Sequence, residues 1–239
     1  MGKAIFRQRC GVLGVGIVSG CGVVTPKQLI GLGLLAEKTG AHGCKMTTRQ
    51  TLVMLIPEEK LPALEAGVTE LGLRIGVFGN VVRNVKGCPG HEDFCPRTVG
   101  DAYSLGVKLQ ERFMNESVPK DFKISTAGCH RSCTDPLCAD FGVIARARDD
   151  FDIFLGGRGG GRKPRHGQLL LQGMTAEAVE IVLAYLLDRY REVGEAGERI
   201  YATIDRVGLS YFRPPHSLYS HLLNKDDSNA DFLAFANEV

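Results

Sequence analysis

The sequence has no tryptophan, and aromatic residues make up only 7% of it. Those few are not interleaved with basic residues, so there is no stacking platform for nucleic acid. Charge of one sign is equally scarce: 29 Lys and Arg stand against 27 Asp and Glu, a net charge of +2. No global field draws the chain to a polyanion, and local basic patches matter more. The uncharged run from Cys10 to Thr25 is shorter than the roughly 20 residues of a membrane span. Val18-Ser19-Gly20-Cys21 resembles a lipoprotein cut site, but the run before it is rich in glycine and reads better as strands and turns. Met1-Gly2 lacks the Ser or Thr at position 6 that myristoylation needs. No Gly-Lys-Ser/Thr follows the glycine-rich basic stretch, which removes a Walker loop. No Cys-x2-Cys pair occurs, which argues against the usual structural zinc site.

What is present is a chain of 239 residues, long enough for one large domain or two small ones, with eight cysteines and 30 glycines. A chain of this length does not need a disulfide framework, and close cysteine spacing favours reduced, ligating thiols in a reducing cytoplasm. Cys88 and Cys95 lie in GCPGHEDFCPRT, and Cys129, Cys133 and Cys138 in GCHRSCTDPLCADF. Each group stands beside Gly or Pro turns, which can aim several sulfurs at one point, as a metal or iron–sulfur site requires. Spacing leaves zinc open as a rival, and Cys138 open as a ligand. Cys10, Cys21 and Cys44 read as small buried hydrophobes.

Taken in order, residues 4–24 read as strands with glycine turns. Thr25-Pro26 starts a helix ending at Gly40, with Leu29, Ile30, Leu32, Leu34 and Leu35 as its apolar face. Residues 44–56 read as one long strand and 57–71 as a second helix, together a small αβ sandwich. A short strand at 76–85, a helix at 98–113 and a strand from Lys123 carry the cysteine groups. A hairpin over 141–155 turns at Asp149-Asp150, Thr175 caps a helix to Tyr190, and 196–207 is a last helix. The tail 208–239 reads as a loosely attached end or an arm around a neighbour.

Two basic features stand out. GGRGGGRKPRHG, residues 156–167, carries Arg158, Arg162, Lys163 and Arg165 with no acid among them. It is either a solvated loop or an anion cradle of backbone N–H groups and guanidinium groups. Arg9, Arg49 in TTRQ and Arg83 in VVRNV sit in apolar or turn settings. Arg49, read as mid-strand, favours an anionic partner, because a buried free charge is costly.

TTRQ, RNV followed by GCPG, the pair Cys129-x3-Cys133 and a strand running into GGRGG occur in this order. Together they resemble the sulfite and nitrite reductases that couple sirohaem to a 4Fe-4S cluster, over roughly residues 4–207, in the form of a small single repeat. The resemblance implies an α+β chain. A ferredoxin-like αβ sandwich half-domain (1–75) would precede an α/β sirohaem and iron–sulfur binding domain (76–207) and a tail (208–239). It implies that Cys88, Cys95, Cys129 and Cys133 hold the cluster, with Cys133 bridging to the sirohaem iron. Arg49 and the basic residues Arg158, Arg162 and Arg165 would pair with sirohaem carboxylates. Arg9, Arg83 and Lys123 would surround the bound oxyanion as the catalytic cations. The activity implied is reduction of sulfite to sulfide or nitrite to ammonia, with an external electron donor protein. A homodimer, or pairing with a homologous subunit, would complete the site.

Three features depart from that family. The first cysteine pair has six intervening residues, PGHEDF, where five are usual. Asp121 occupies the first Lys position of a Pro-x-Lys-x-Lys arrangement, leaving Lys123, and Arg158 replaces a common Asn. These departures keep a second reading in play, a sirohaem-binding electron-transfer protein without turnover, and a third, a zinc-stabilised interaction module.

Overall fold

A computed structural model describes residues 2–161 and 163–223 of the chain. In chain order the elements are β1 (Gly2–Lys3), β2 (Ile5–Arg7), β3 (Leu13–Val18), α1 (Pro26–Lys38), β4 (Gly43–Met46), β5 (Thr51–Ile56), α2 (Leu61–Glu70), β6 (Arg74–Ile75) and β7 (Val77–Phe78). The second half continues with β8 (Lys86–Gly87), α3 (Ala102–Phe113), β9 (Ile124–Ala127), β10 (Phe141–Ala147), β11 (Asp150–Leu155), β12 (Gln168–Met174), α4 (Ala176–Val193) and α5 (Ile200–Val207).

The first half is an antiparallel sheet in the order β2-β3-β5-β4, with β6 also paired to β3. Leu13, Val15 and Ile17 alternate along β3 and meet Leu32, Leu35, Leu64 and Val68 of the two helices in one core. Helix α1 starts with a full capping box: Thr25 Oγ1 accepts from the Gln28 N–H, and Gln28 Oε1 from the Thr25 N–H. The apolar face expected for α1 is only partly buried. Leu32 and Leu35 are in the core, whereas Leu29, Ile30 and Leu34 are 62–65% exposed. The stripe is wider than the sheet can cover.

Residues 44–56 are not one strand. The chain reverses in TTRQ, where the Gln50 N–H donates to the Thr47 carbonyl and Gln50 adopts φ 57°. The result is an antiparallel hairpin of β4 and β5, paired Cys44 with Met54 and Met46 with Leu52. Arg49 therefore lies in a turn at the sheet's end.

The second half is a sheet in the order β12-β11-β10-β9-β8, parallel at β8-β9-β10 and antiparallel beyond. The β10-β11 hairpin turns at Asp149 with φ 51°, as the sequence suggests. Strand β12 was not expected, because the glycine-rich stretch before it masks its start. Phe122, Phe141, Phe151, Tyr190 and Phe212 are fully buried in the core between this sheet and α3, α4 and α5. Phe212 and Tyr219 belong to the tail, so residues 208–223 are docked on the chain's own core rather than loosely attached. Burying one such aromatic stabilises by about 1.5–3 kcal/mol. The rest of the predicted tail lies outside the described residues.

Three polar side chains fasten the halves together. Gln50 makes a two-way pair with the Gly87 backbone (2.6 and 2.9 Å), and Asn84 one with Arg49. Gln110 accepts from the Val85 N–H and donates to the Ser19 carbonyl. Each satisfies buried backbone groups that no strand partner reaches.

Candidate functional site

The first cysteine group follows β8, which ends one residue before Cys88, and the second follows β9, which ends two residues before Cys129. Because β8 and β9 are parallel neighbours, both loops leave the same end of the sheet. Cys88 Sγ accepts from the Gly128 N–H at 3.1 Å. Ser132 (φ 53°) and Asp135 (φ 50°) are left-handed, and the chain folds back on itself through them. Cys88 and Cys129 are buried, Cys95 is half-buried and Cys133 is exposed. Burial pushes the Cys88 thiol up; the Gly128 N–H opposes this, and the thiols of Cys133, Cys129 and Cys95 add to the rise. All four sulfurs thus share one electrostatic neighbourhood. Among the described residues no three His, Cys, Asp or Glu side chains converge as ligands of a single ion. A polynuclear cluster takes one thiolate per iron, and neighbouring but separate sulfurs suit that donor set.

Beside this lies a cleft of about 470 Å³ lined by Arg49, Lys86, Lys123, Cys138, Arg158 and Arg199. Thr134 and Asp135, which follow Cys133, line it too. Arg49 Nη2 donates to the Asn84 carbonyl (2.5 Å), while its Nε is shielded from solvent with no partner among the described residues. Burial pushes Arg49 down to about 10, with Arg83 adding to the drop and Asp140 and Asp121 opposing it. Arg83 likewise has a shielded Nε with no partner among the described residues. Its guanidinium lies over the Phe78 ring at 4.8 Å, and burial lowers it against the pull of Asp121. Shielded donors of this kind are costly without an acceptor, so Arg49, which lines the cleft, fits a bound anion, and Arg83, outside the cleft lining, acts on Arg49 through its charge.

The other cations of the cleft are engaged. Lys123 Nζ is ion-paired with Asp121. Arg199 grips the fully buried Asp140 through both oxygens (2.6 and 2.7 Å), and the Lys123 N–H donates to the same carboxylate. Burial pushes the Asp140 carboxyl up, and Arg199 pulls it back. Lys86 pairs with Asp135 at 2.9 Å.

The glycine-rich loop is closed by a backbone bridge between Arg158 and Arg165. Arg158 lines the cleft, donating to Tyr201 Oη (2.6 Å) and to the Gly160 carbonyl. Arg165 does not line it: both Asp205 oxygens accept from its Nη1, at 2.7 and 2.9 Å. Arg162 lies outside the described residues. Arg9 is not brought to the cleft either. It is exposed in the β2-β3 turn, beside Leu13, whereas Arg49 lies at the opposite end of the sheet, where Val18 pairs with Thr51. Cys10 and Cys44 are exposed, contrary to expectation, and only Cys21 is buried, its thiol pushed up to about 12 by burial, with Cys88 adding to the rise. Sequence reasoning missed Arg199, Asp140 and Asn84. The one available signal was an acid, Asp140, in an otherwise apolar strand start.

Residues 78–220 match the family described as Nitrite and sulphite reductase 4Fe-4S domain, and residues 7–71 match the Nitrite/Sulfite reductase ferredoxin-like half domain. The chain is 33% identical over 171 residues to a nitrite reductase [NAD(P)H] of Emericella nidulans, covering 71% of this chain and 15% of the relative. It is 30% identical over 192 residues to the Bacillus subtilis nitrite reductase [NAD(P)H], covering 80% and 23%. The chain thus spans less than a quarter of the length of these relatives. Its fold is that of dissimilatory sulfite reductase I (TM-score 0.75, 16% identity, covering 87% of this chain and 68% of that one). It is also that of the NirA protein of Mycobacterium tuberculosis (TM-score 0.72, 22% identity, covering 88% and 41%). An α+β chain with a ferredoxin-like half domain, its cysteine loops at one sheet end, is thereby placed: it belongs to the nitrite and sulphite reductase family.

Proposed function

We propose that this chain is one repeat unit of a sirohaem and 4Fe-4S reductase that takes sulfite to sulfide or nitrite to ammonia with six electrons. The observation that carries the reading is a cleft lined by Arg49, Lys123 and Arg158 and bordered by the loop of Cys133, whose thiol acts on Cys88 together with those of Cys129 and Cys95. Cys88, Cys95, Cys129 and Cys133 would hold the cluster, with Cys133, the exposed one beside the cleft, shared with the sirohaem iron. When bound, these groups supply electrons one at a time to an anion that the side chains alone cannot reduce. The protein's own work is binding and polarisation. Arg49 and Arg158 orient carboxylates, Arg83 and Lys123 face the oxyanion, and Lys123 holds a proton at Nζ. An external protein donates the electrons, in a reducing compartment such as the cytoplasm. Among the described residues no helix is long and apolar enough to cross a membrane.

Residues 7–71 match what is named a half domain, and the proposal includes a complement to it. A second copy is the proposed occupant, forming a homodimer through the exposed face of α1. The alternative reading, a sirohaem and iron–sulfur electron-transfer protein without turnover, is favoured by one observation: Asp121 already occupies Lys123.

Anaerobically purified protein tests these readings. The expected result is iron–sulfur and tetrapyrrole absorbance, and consumption of nitrite or sulfite with reduced methyl viologen. Cys133→Ser is expected to lose both bands' coupling and the turnover. The spectrum without turnover supports the electron-transfer reading, and a colourless protein that binds zinc overturns both.

A further inference from the structure

We infer that Asp121 shifts the cleft's selectivity away from a doubly charged oxyanion and toward a singly charged one, an inference that rests on reading this cleft as the oxyanion site. Three of the cations around it are matched by acids. Asp140 is fully buried and held by Arg199 through both oxygens. Lys86 is held by Asp135, and Arg158 is engaged with Tyr201 and the Gly160 carbonyl. Lys123, the cation nearest Asp121, is ion-paired with it, with only 26% and 19% of the two side chains exposed. That leaves Arg158, whose partners are neutral, and Arg49 and Arg83, whose Nε atoms are shielded and have no partner among the described residues. Asp121 acts on Arg49 and Arg83, opposing the effect of burial on each guanidinium.

With Arg49 and Arg158 given to carboxylates as proposed above, an entering anion meets Arg83 and a Lys123 whose charge Asp121 has already taken up. Coulomb energy is linear in charge, so Asp121 disfavours a dianion by twice the free energy by which it disfavours a monoanion. In dissociation constants that factor becomes a square. Nitrite carries one charge, and sulfite carries two once fully deprotonated. Asp121 is a specificity-determining residue: it acts by its charge and by holding Lys123, at a position where a neutral side chain would leave Lys123 free to meet the second charge.

Asp121→Asn removes the charge and keeps the shape. Dissociation constants for nitrite and sulfite are measured by calorimetry on the oxidised, purified protein, at low salt and at a pH where sulfite is fully dianionic. The expected result is tightening of about threefold for nitrite and about tenfold for sulfite. The difference shrinks at high ionic strength, and Asp121→Glu returns both constants to wild type. If Asp121→Asn does not fold, Asp121→Ser, which also removes the charge, is read in its place with the same expected order, a larger gain for sulfite than for nitrite. Equal factors for the two anions, a larger gain for nitrite, or no change overturns the inference alone. A protein that has the cofactor spectrum and binds neither anion overturns the reading of the site, and this inference with it.

Discussion

A β-carbon on Gly128 would stand 2.2 Å from Thr98 Oγ1 and 2.8 Å from Gly90 Cα. One on Gly90 would stand 2.9 Å from Cys88 Sγ. Those two glycines let the cysteine loops touch backbone to backbone, and no side chain can be accommodated without moving one loop. Gly128→Ala is therefore expected to destabilise by about 1–3 kcal/mol through overpacking. It should also lower the iron bound per chain, because Cys88 and Cys129 move apart. Thermal unfolding and iron content measure the two effects. Gly33→Ala is the control: nothing lies within 4 Å of its new β-carbon, and in a helix the change should stabilise by about 0.5–1 kcal/mol. At this scale the sequence was most readable where residues are close along the chain. Turns and spacing brought Cys88, Cys95, Cys129, Cys133 and Cys138 forward as candidates, and the family resemblance singled out the first four. The Asp140–Arg199 pair spans 59 positions and exists only once β10 and α5 are folded, so no local pattern announces it.

The TTRQ segment shows what elements add. Its alternation reads as strand, and both flanks are strands, but Thr47 and the left-handed Gln50 close a turn between them. That turn sends Arg49 toward Asn84 rather than across a sheet face. Arg9 fails for the complementary reason: a strand pair reverses direction, and the turn that carries Arg9 opens at the far end. The junction of α4 and α5 carries a prediction of its own. Glu198 accepts from Arg206 (2.7 and 3.1 Å) and from Thr203 Oγ1 (3.0 Å). The Arg206 hydrogen bonds hold its carboxyl down at about 2, below its ordinary value of 4.5. A carboxylate depressed in the folded state stabilises it above the ordinary value, and that contribution disappears as pH falls from about 4.5 toward 2. Melting temperature should therefore fall more steeply with acid in the wild type than in Glu198→Gln. Parallel acid limbs for the two proteins would show that the Arg206 contact contributes nothing.

At the scale of the whole molecule, the question is what covers the outer face of the first half. Leu29 (62% exposed), Ile30 (65%) and Leu34 (63%) lie on α1, and Met46 (60%) on the edge strand β4. Between them runs an apolar groove of about 320 Å³ that includes Leu29, Cys44 and Met46 in its lining. Scattered exposed leucines need no partner, but three on one helix beside a groove form a continuous patch. Residues 7–71 match a half domain, and the complement proposed for it is a second copy. The 25.9 kDa chain is then expected to sediment as a dimer at micromolar concentration. Leu34→Glu adds a charge at an exposed position, so it should change the stability of one protomer by no more than about 0.5 kcal/mol. In the dimer the same charge would be buried without a partner, which is strongly unfavourable. The variant should sediment as a monomer with an unchanged cofactor spectrum, and its turnover should rise with protein concentration if the second copy completes the site. A wild-type chain that sediments as a fully active monomer would remove the second copy from the account and leave the apolar face to another partner.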